Sequence, residues 1–311
     1  MPQSFSFRDG SQDSDRNDGA GDATARRVRV TAVATGADEN NGRGQQPRAL
    51  IVTVYGLYAR EAGGWMSVAA LIQLLAHCGV DEPAVRSAVF RLKRRGLLTA
   101  AKVGGAAGYE LSATAREILD EGDRRIFERR RADAGEGWLM AVFSVPESER
   151  DKRHQLRSRL SWLGFGTVSS GVWIAPAHLL GETREALLRQ GLDPYVELFH
   201  ADHLGFAATA ERVRDWWDLQ RLHELYDTFL GRHEPVLARY RRRRRIDGAE
   251  AFADYVHALT DWRRLPYLEP GLPLEVLPAG WIGLRAAEVF FELRRRLAGP
   301  AHDHVEPLLA R

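Results

Sequence analysis

The chain has 311 residues, 44% of them apolar, and 44 basic side chains against 42 acidic ones leave a net charge of +2. That length allows two or three domains with real cores, and the near-balance of charge by itself selects no partner. A lone cysteine, Cys78, excludes an internal disulfide or a thiolate zinc cluster, and no apolar run reaches the roughly 18 residues of a membrane helix. With no basic-then-apolar leader at the start, the chain is read as cytoplasmic, with no membrane partner.

Residues 1–47 are rich in Gly, Asp, Ser, Asn, Arg and Gln and show no periodicity, so they are predicted to be a disordered tail. Structure is expected from Arg48, where an almost wholly apolar stretch through Tyr58 reads as a buried helix broken at Gly63 and Gly64. Ser67 should cap a second helix through Ala76, and Cys78-Gly79-Val80 should make a short turn. Asp81, Glu82 and Pro83 open a third helix that stops at Gly96. Leu97 to Val103 and Tyr109 to Leu111 read as two strands joined by a loop over 104–108, and Ser112 caps a fourth helix through Arg131. After a linker at 133–137, the order strand (138–143), helix, two strands, helix (178–190), strand (195–199) is the ferredoxin-like arrangement. Helices follow at 208–230, 234–246, 248–264 and 284–297, with a proline-rich interruption at 266–280. The fold class is therefore α+β and multidomain. A winged helix-turn-helix spans 48–131, a ferredoxin-like domain 136–205 and a helical domain 206–298, with a tail over 299–311.

Three helices followed by a hairpin point to duplex DNA as the partner, with the third helix in the major groove. On that helix Val85, Ala88, Val89 and Leu92 share one face, while Arg86, Ser87, Arg91, Arg94 and Arg95 fall largely on the other. A basic face alone is as often a solvated surface as a site; the motif around it shifts the balance to DNA. Arg86, Ser87 and Arg91 are the candidates for base edges, and Lys93, Arg94, Arg95 and Lys102 for phosphates, because Arg forks suit both.

The stretches Leu50 to Gly56, Val85 to Leu92 and Gly96-Leu97-Leu98 resemble the N-terminal domain of the PaaX family, bacterial repressors of phenylacetate catabolism. The resemblance continues at 162–166 and 171–176 and returns at 272–283, so it covers about 48–298 with matching blocks in order. It implies a dimeric transcriptional repressor released by an aryl-acyl-CoA such as phenylacetyl-CoA, and a middle domain similar to a CRISPR-adaptation nuclease family. Two departures stand out: the wing tip is Gly-Gly-Ala-Ala-Gly where basic residues are common, and Glu269 precedes Pro270 where Asp is expected.

The residues also admit other readings. RNA binding or processing through the ferredoxin-like domain is the alternative function. A nuclease of that fold needs a metal-binding carboxylate at the end of the first strand, and that strand runs into Ser144-Val145-Pro146. His200, Asp202 and His203, or His302 and His304, lack any zinc-helix signature, so no metal, resident cofactor or catalysis is expected. The arginine run at 241–245 is a solvated helix face, a second DNA phosphate contact, or a dock for CoA phosphates. Arg241, Arg242, Arg245, Arg263 and Arg264, with Trp262 and Trp281 as an aryl slot, form the candidate effector site, placed outside 48–115.

Overall fold

A computed structural model describes residues 46–309 of the chain. The predicted tail lies outside the described residues except for Gln46 and Pro47, which begin the first helix. Helix α1 (Gln46–Val54) runs on through a wider π-helical turn (Tyr55–Ala59), and every residue from Ala49 to Val54 is buried. Strand β1 (Trp65–Ser67), helix α2 (Val68–His77) and helix α3 (Glu82–Arg94) follow. Strands β2 (Leu98–Val103) and β3 (Ala106–Leu111) then form the wing, and α4 (Ala113–Asp123) closes the unit.

The expected caps are all made. Ser67, Asp81 and Ser112 accept from the amides of Ala70 (3.1 Å), Ala84 (2.9 Å) and Ala115 (3.1 Å), each satisfying an amide that has no partner inside its own helix. The wing differs from expectation. Val103 pairs with Ala106, so the connection is the two residues Gly104 and Gly105, both at positive φ, and not a loop over 104–108. Short β1, too brief to show alternation, pairs with β3 and gives the order β1-β3-β2. Gly108 is needed there, because a Cβ would stand 2.5 Å from the Trp65 ring and 2.4 Å from the Met66 carbonyl.

The middle domain contains β4 (Trp138–Phe143), α5 (Arg150–Trp162), β5 (Gly166–Ser169), β6 (Val172–Pro176), α6 (Leu180–Arg189) and β7 (Val196–Ala201). Its antiparallel sheet has the order β5-β6-β4-β7, the ferredoxin-like topology. Leu139, Ala141 and Phe143 alternate onto one face of β4 and share a core with Leu156, Leu160 and Leu163 from α5 and its end.

The helical region departs from the expected breaks. Helix α7 (Thr209–Trp216) ends where Trp217 turns extended, and α8 (Leu219–Arg242) then runs unbroken through Pro235. The buried Trp217 indole donates to the Gly164 carbonyl at 2.9 Å and packs on Gly166, and Asp218 caps α8 through the Arg221 amide. A tertiary anchor thus sets the break, whereas Pro235 costs one backbone bond that packing on both sides outweighs. Then come α9 (Gly248–Trp262), the short α10 (Leu265–Leu268) and α11 (Ile282–Leu309). The predicted tail over 299–311 is, through Leu309, the last three turns of α11. Ala301 and Val305 are buried there, and that burial carries the helix past Pro300.

One continuous core joins α1–α4 to the C-terminal helices, with Tyr58 against Phe252 (5.6 Å between rings) and the Thr53 and Thr260 hydroxyls 2.7 Å apart. Helix α4 runs on through a π-helical turn (Arg124–Glu128) and stops short of the expected Arg131, because Arg129 adopts a left-handed conformation (φ 37°). Arg129 donates to the Gly283 carbonyl, the Tyr226 hydroxyl and the Glu269 carboxylate at 2.9, 3.0 and 2.8 Å. Arg131 also reaches Glu269 at 3.0 Å, and Glu269 is wholly buried. Burial works against the charge on Arg129, but Tyr226 and Glu269 together outweigh it and hold the guanidinium more firmly protonated than usual.

Candidate DNA interface

The interface is built on α3. Val85, Ala88, Val89 and Leu92 are buried beneath it, three of them with no exposed surface, so the helix is clamped to α1 and α2 along one stripe. Gly79 (φ 74°) turns the chain between α2 and α3, and Gly96 (φ 79°) ends α3 with its amide on the Lys93 carbonyl. What remains outside is a continuous face. Helical spacing puts Ser87, Phe90 and Arg94 along its middle, Arg86 beside them, and Arg91 and Lys93 on its flanks, all of them exposed.

Arg86 pairs with Glu82 one turn back at 2.7 Å, and Arg94 lies over the Phe90 ring at 5.9 Å. Ser87, Arg91 and Lys93 make no ion pair among the described residues. Arg95 sits at the helix end and is half-buried, farther from the face than the sequence pattern places it. Lys102 is exposed on β2 next to Val103, so the wing offers a single cation near its glycine tip. The Tyr55 hydroxyl donates to the Tyr109 carbonyl at 3.0 Å and ties the wing to α1. Phe90 is on the outer face of α3 as well, though the basic pattern of the sequence does not single it out. At 58% exposure it is one of the most exposed large apolar residues of the chain, and its lack of a place in the buried periodicity was the available signal.

The proposed effector residues are not brought together. Trp262 has no exposed surface; it stacks on Phe290 at 4.8 Å and donates to the Ile126 carbonyl at 3.1 Å. Trp281 is buried against Tyr226 near the start of α8. The arginine run lies at the other end of α8, about 20 Å away at 1.5 Å per residue. The run is not one helix face either, because α8 ends at Arg242 and Arg243 is extended. Arg241 pairs with Glu292 and Arg243 with Glu250, leaving Arg242, Arg244 and Arg245 exposed without an ion pair among the described residues. Arg263 is buried and Arg264 half-buried.

His200 contacts the Glu136 carbonyl and His203 the Thr209 hydroxyl, while His304 lies 3.3 Å from His77. Among the described residues no group of three His, Cys, Asp or Glu side chains converges as a metal site, and no helix is long and apolar enough to cross a membrane. At the end of β4 the exposed residue is Ser144.

A helix-turn-helix with a wing, joined to a ferredoxin-like domain and a helical C-terminal region, defines a winged-helix transcription regulator. Three family profiles match in order: "PaaX-like protein" over residues 46–115, "PaaX protein central Cas2-like domain" over 131–213 and "PaaX-like protein C-terminal domain" over 217–307. The chain belongs to the PaaX family. It is 26% identical over 257 residues to the transcriptional repressor PaaX of Escherichia coli strain K12, an alignment covering 81% of each chain. An uncharacterized protein of Mycobacterium tuberculosis, Rv0674, has a similar fold with a TM-score of 0.51 and 24% identity, covering 80% of this chain and 99% of that one.

Proposed function

We propose that the chain is a transcriptional repressor that binds a specific duplex DNA sequence as a homodimer and is released by an aryl-acyl-CoA, phenylacetyl-CoA or a close relative. The observation that carries the DNA reading is the outer face of α3, which presents Arg86, Ser87, Phe90, Arg91, Lys93 and Arg94 to solvent on a helix otherwise fixed by its buried stripe. Arg86, Ser87 and Arg91 read base edges, and Phe90 offers an apolar contact to a thymine methyl. Lys93, Arg94, Arg95 and Lys102 hold phosphates and set the register.

Repression is carried over from the Escherichia coli relative's name. A single helix reads only a few base pairs, so a two-fold dimer on an inverted repeat, with half-sites about one turn (~10 bp) or a multiple apart, supplies the rest. The exposed Arg242 and Arg245 suit the phosphates of a CoA ligand.

The test is fluorescence anisotropy with duplex DNA from upstream of the protein's own gene. Nanomolar binding is expected, lost to a scrambled duplex and released by phenylacetyl-CoA but not by CoA alone. Tighter binding to the matching single-stranded RNA than to the duplex would overturn the reading in favour of RNA.

A further inference from the structure

A cavity of about 310 Å³ lies where the DNA-reading unit meets the C-terminal helices, walled by α1 and its π-helical turn, α4, α9 and α11. One part of its lining is apolar: Leu57, Leu119 and Phe127 come from the reading unit, and Leu259 comes from α9. Polar side chains are as numerous as apolar ones and basic on balance, with three arginines (Arg60, Arg263 and Arg294) against two carboxylates (Glu61 and Asp123). Arg60 is committed to Asp120 and Asp123 at 2.8 and 2.6 Å. Arg294 lies over the Phe127 ring at 4.4 Å, a guanidinium laid along an aromatic wall.

Tyr58, another wall residue, is only 4% exposed, yet its hydroxyl has no hydrogen-bond partner among the described residues. A buried hydroxyl without a partner has lost its water for nothing in return, and such a group calls for a reason. The π-helical turn that carries Tyr58 is a further local departure from regular helix, of a kind frequent at functional sites.

An apolar patch, polar groups beside it and a volume at the lower end of the ~300–1,000 Å³ usual for ligand sites describe a small-molecule pocket. We infer that this cavity is the effector site and that it receives a ring-sized apolar acyl group, presented as a free carboxylate or as a thioester. The carbonyl end accepts from Tyr58 and lies toward Arg263 or Arg294; the ring lies between Leu57, Leu119 and Leu259. The volume admits the acyl body and leaves any nucleotide carrier outside, beyond the exposed Glu61 and His302 at the rim.

The inference rests on the proposed ligand control for the class of ligand and for its consequence. Helix α1 forms one wall and packs directly on α3. A ligand that spreads α1 from α9 and α11 therefore moves the reading helix. Binding and release are then reciprocal, each weakening the other by the same factor.

Calorimetry on the full chain tests the site independently of DNA, with phenylacetate, phenylacetyl-CoA and CoA as probes against wild type, Tyr58→Phe and Leu119→Trp. Tyr58→Phe should weaken the bound probe about five-fold, the worth of one hydrogen bond, and Leu119→Trp should abolish binding by filling the cavity. Tyr58→Phe should bind operator DNA as wild type does, and Leu119→Trp should keep the wild-type circular dichroism spectrum and a cooperative melt, which shows that both are folded. Phenylacetate binding alone identifies the free acid as ligand; binding of the thioester only identifies the carrier-linked form. If wild type binds a probe and both variants bind it equally well, the site is elsewhere and the inference fails, whatever happens to DNA release. If the variants lose the probe but the probe never displaces DNA from wild type, the site stands and the ligand-control reading fails. No binding of either acyl probe to wild type overturns the assignment.

Discussion

Replacing Glu269 with glutamine removes a charge and almost no volume from the junction of the DNA-reading unit and the helical domain. The carboxylate has no exposed surface; it accepts from Arg129 at 2.8 Å, from Arg131 at 3.0 and 3.2 Å and from the Leu272 amide at 2.9 Å. The two arginine side chains are themselves 9% and 19% exposed, so neither can turn to water without disturbing what packs on it. Breaking a buried pair from one side costs about 3–5 kcal/mol, because the partner's charge is left without its counter-ion. Glutamine keeps an acceptor oxygen for Leu272, which places Glu269→Gln at the lower end, about 3 kcal/mol. At about 2–4 °C per kcal/mol for domains of this size, Tm should fall by roughly 6–12 °C in thermal unfolding followed by circular dichroism. The comparison is Arg86→Ala, which breaks an exposed pair one helical turn apart, worth about 0.3–0.5 kcal/mol and so a shift of no more than about 2 °C. If the two variants melt together, Glu269 does not hold the junction and the argument from burial is wrong.

Glu82→Gln should bind operator DNA about five-fold more tightly. It releases Arg86 and removes an anion from the DNA face, a Coulomb effect of about 1 kcal/mol at this range, and equal affinity in an anisotropy titration would show that Arg86 stays away from the duplex. Phe90→Ala should lower affinity and relax preference at thymine positions without altering the salt slope; a changed slope would mean that its contacts are with the backbone through Arg94. The Arg241 hydrogen bond, helped by Arg296, holds the Glu292 carboxyl at about 2, below its usual 4.5. That stabilisation is complete above about pH 4.5 and fades toward pH 2, so Arg241→Ala should be the less stable protein at about pH 6 and the difference in urea midpoint should close on acidification. Burial, with Asp254 nearby, pushes the Cys78 thiol up to about 12, so native protein should resist thiol reagents at about pH 8 until it is unfolded.

Local signals made the reading unit legible. The three capping side chains, the buried stripe of α3 and the glycine that ends it each act within one or two helical turns, so they can be seen in a short window. The same holds for the strand order of the middle domain, where apolar runs and turns alternate. What could not be seen was set by distant partners. Strand β1 exists because β3 offers an edge to Trp65, and α8 starts at Leu219 because Trp217 is anchored to Gly164. The buried Ala301 and Val305 carry α11 past its proline. The tryptophans assigned to an effector slot illustrate the limit most plainly. Trp262 is ordinary core, closed by Phe290 and Ile126, and no spacing in the sequence distinguishes a tryptophan that lines a pocket from one that fills a core. The α1–α9 cavity was invisible for the same reason, since its walls come from segments some 200 residues apart.

The burial of α1 bears on how such a protein can be recombined. A headpiece that lends itself to fusion carries its own core and presents water-compatible surfaces to whatever it is joined to. Here Leu50, Ile51 and Val54 have no exposed surface, and Thr53 reaches across to Thr260. Severing the chain after residue 131 would uncover the side of α1 that rests on α9, along with Tyr58 against Phe252. Each large apolar side chain so uncovered forfeits about 1.5–3 kcal/mol, against a total stability of about 5–15 kcal/mol for a typical domain. The DNA-reading segment is therefore not a transferable cartridge. Chimaeras that change operator choice should be made by grafting the outer face of α3 onto an intact relative, and an excised headpiece is expected to aggregate.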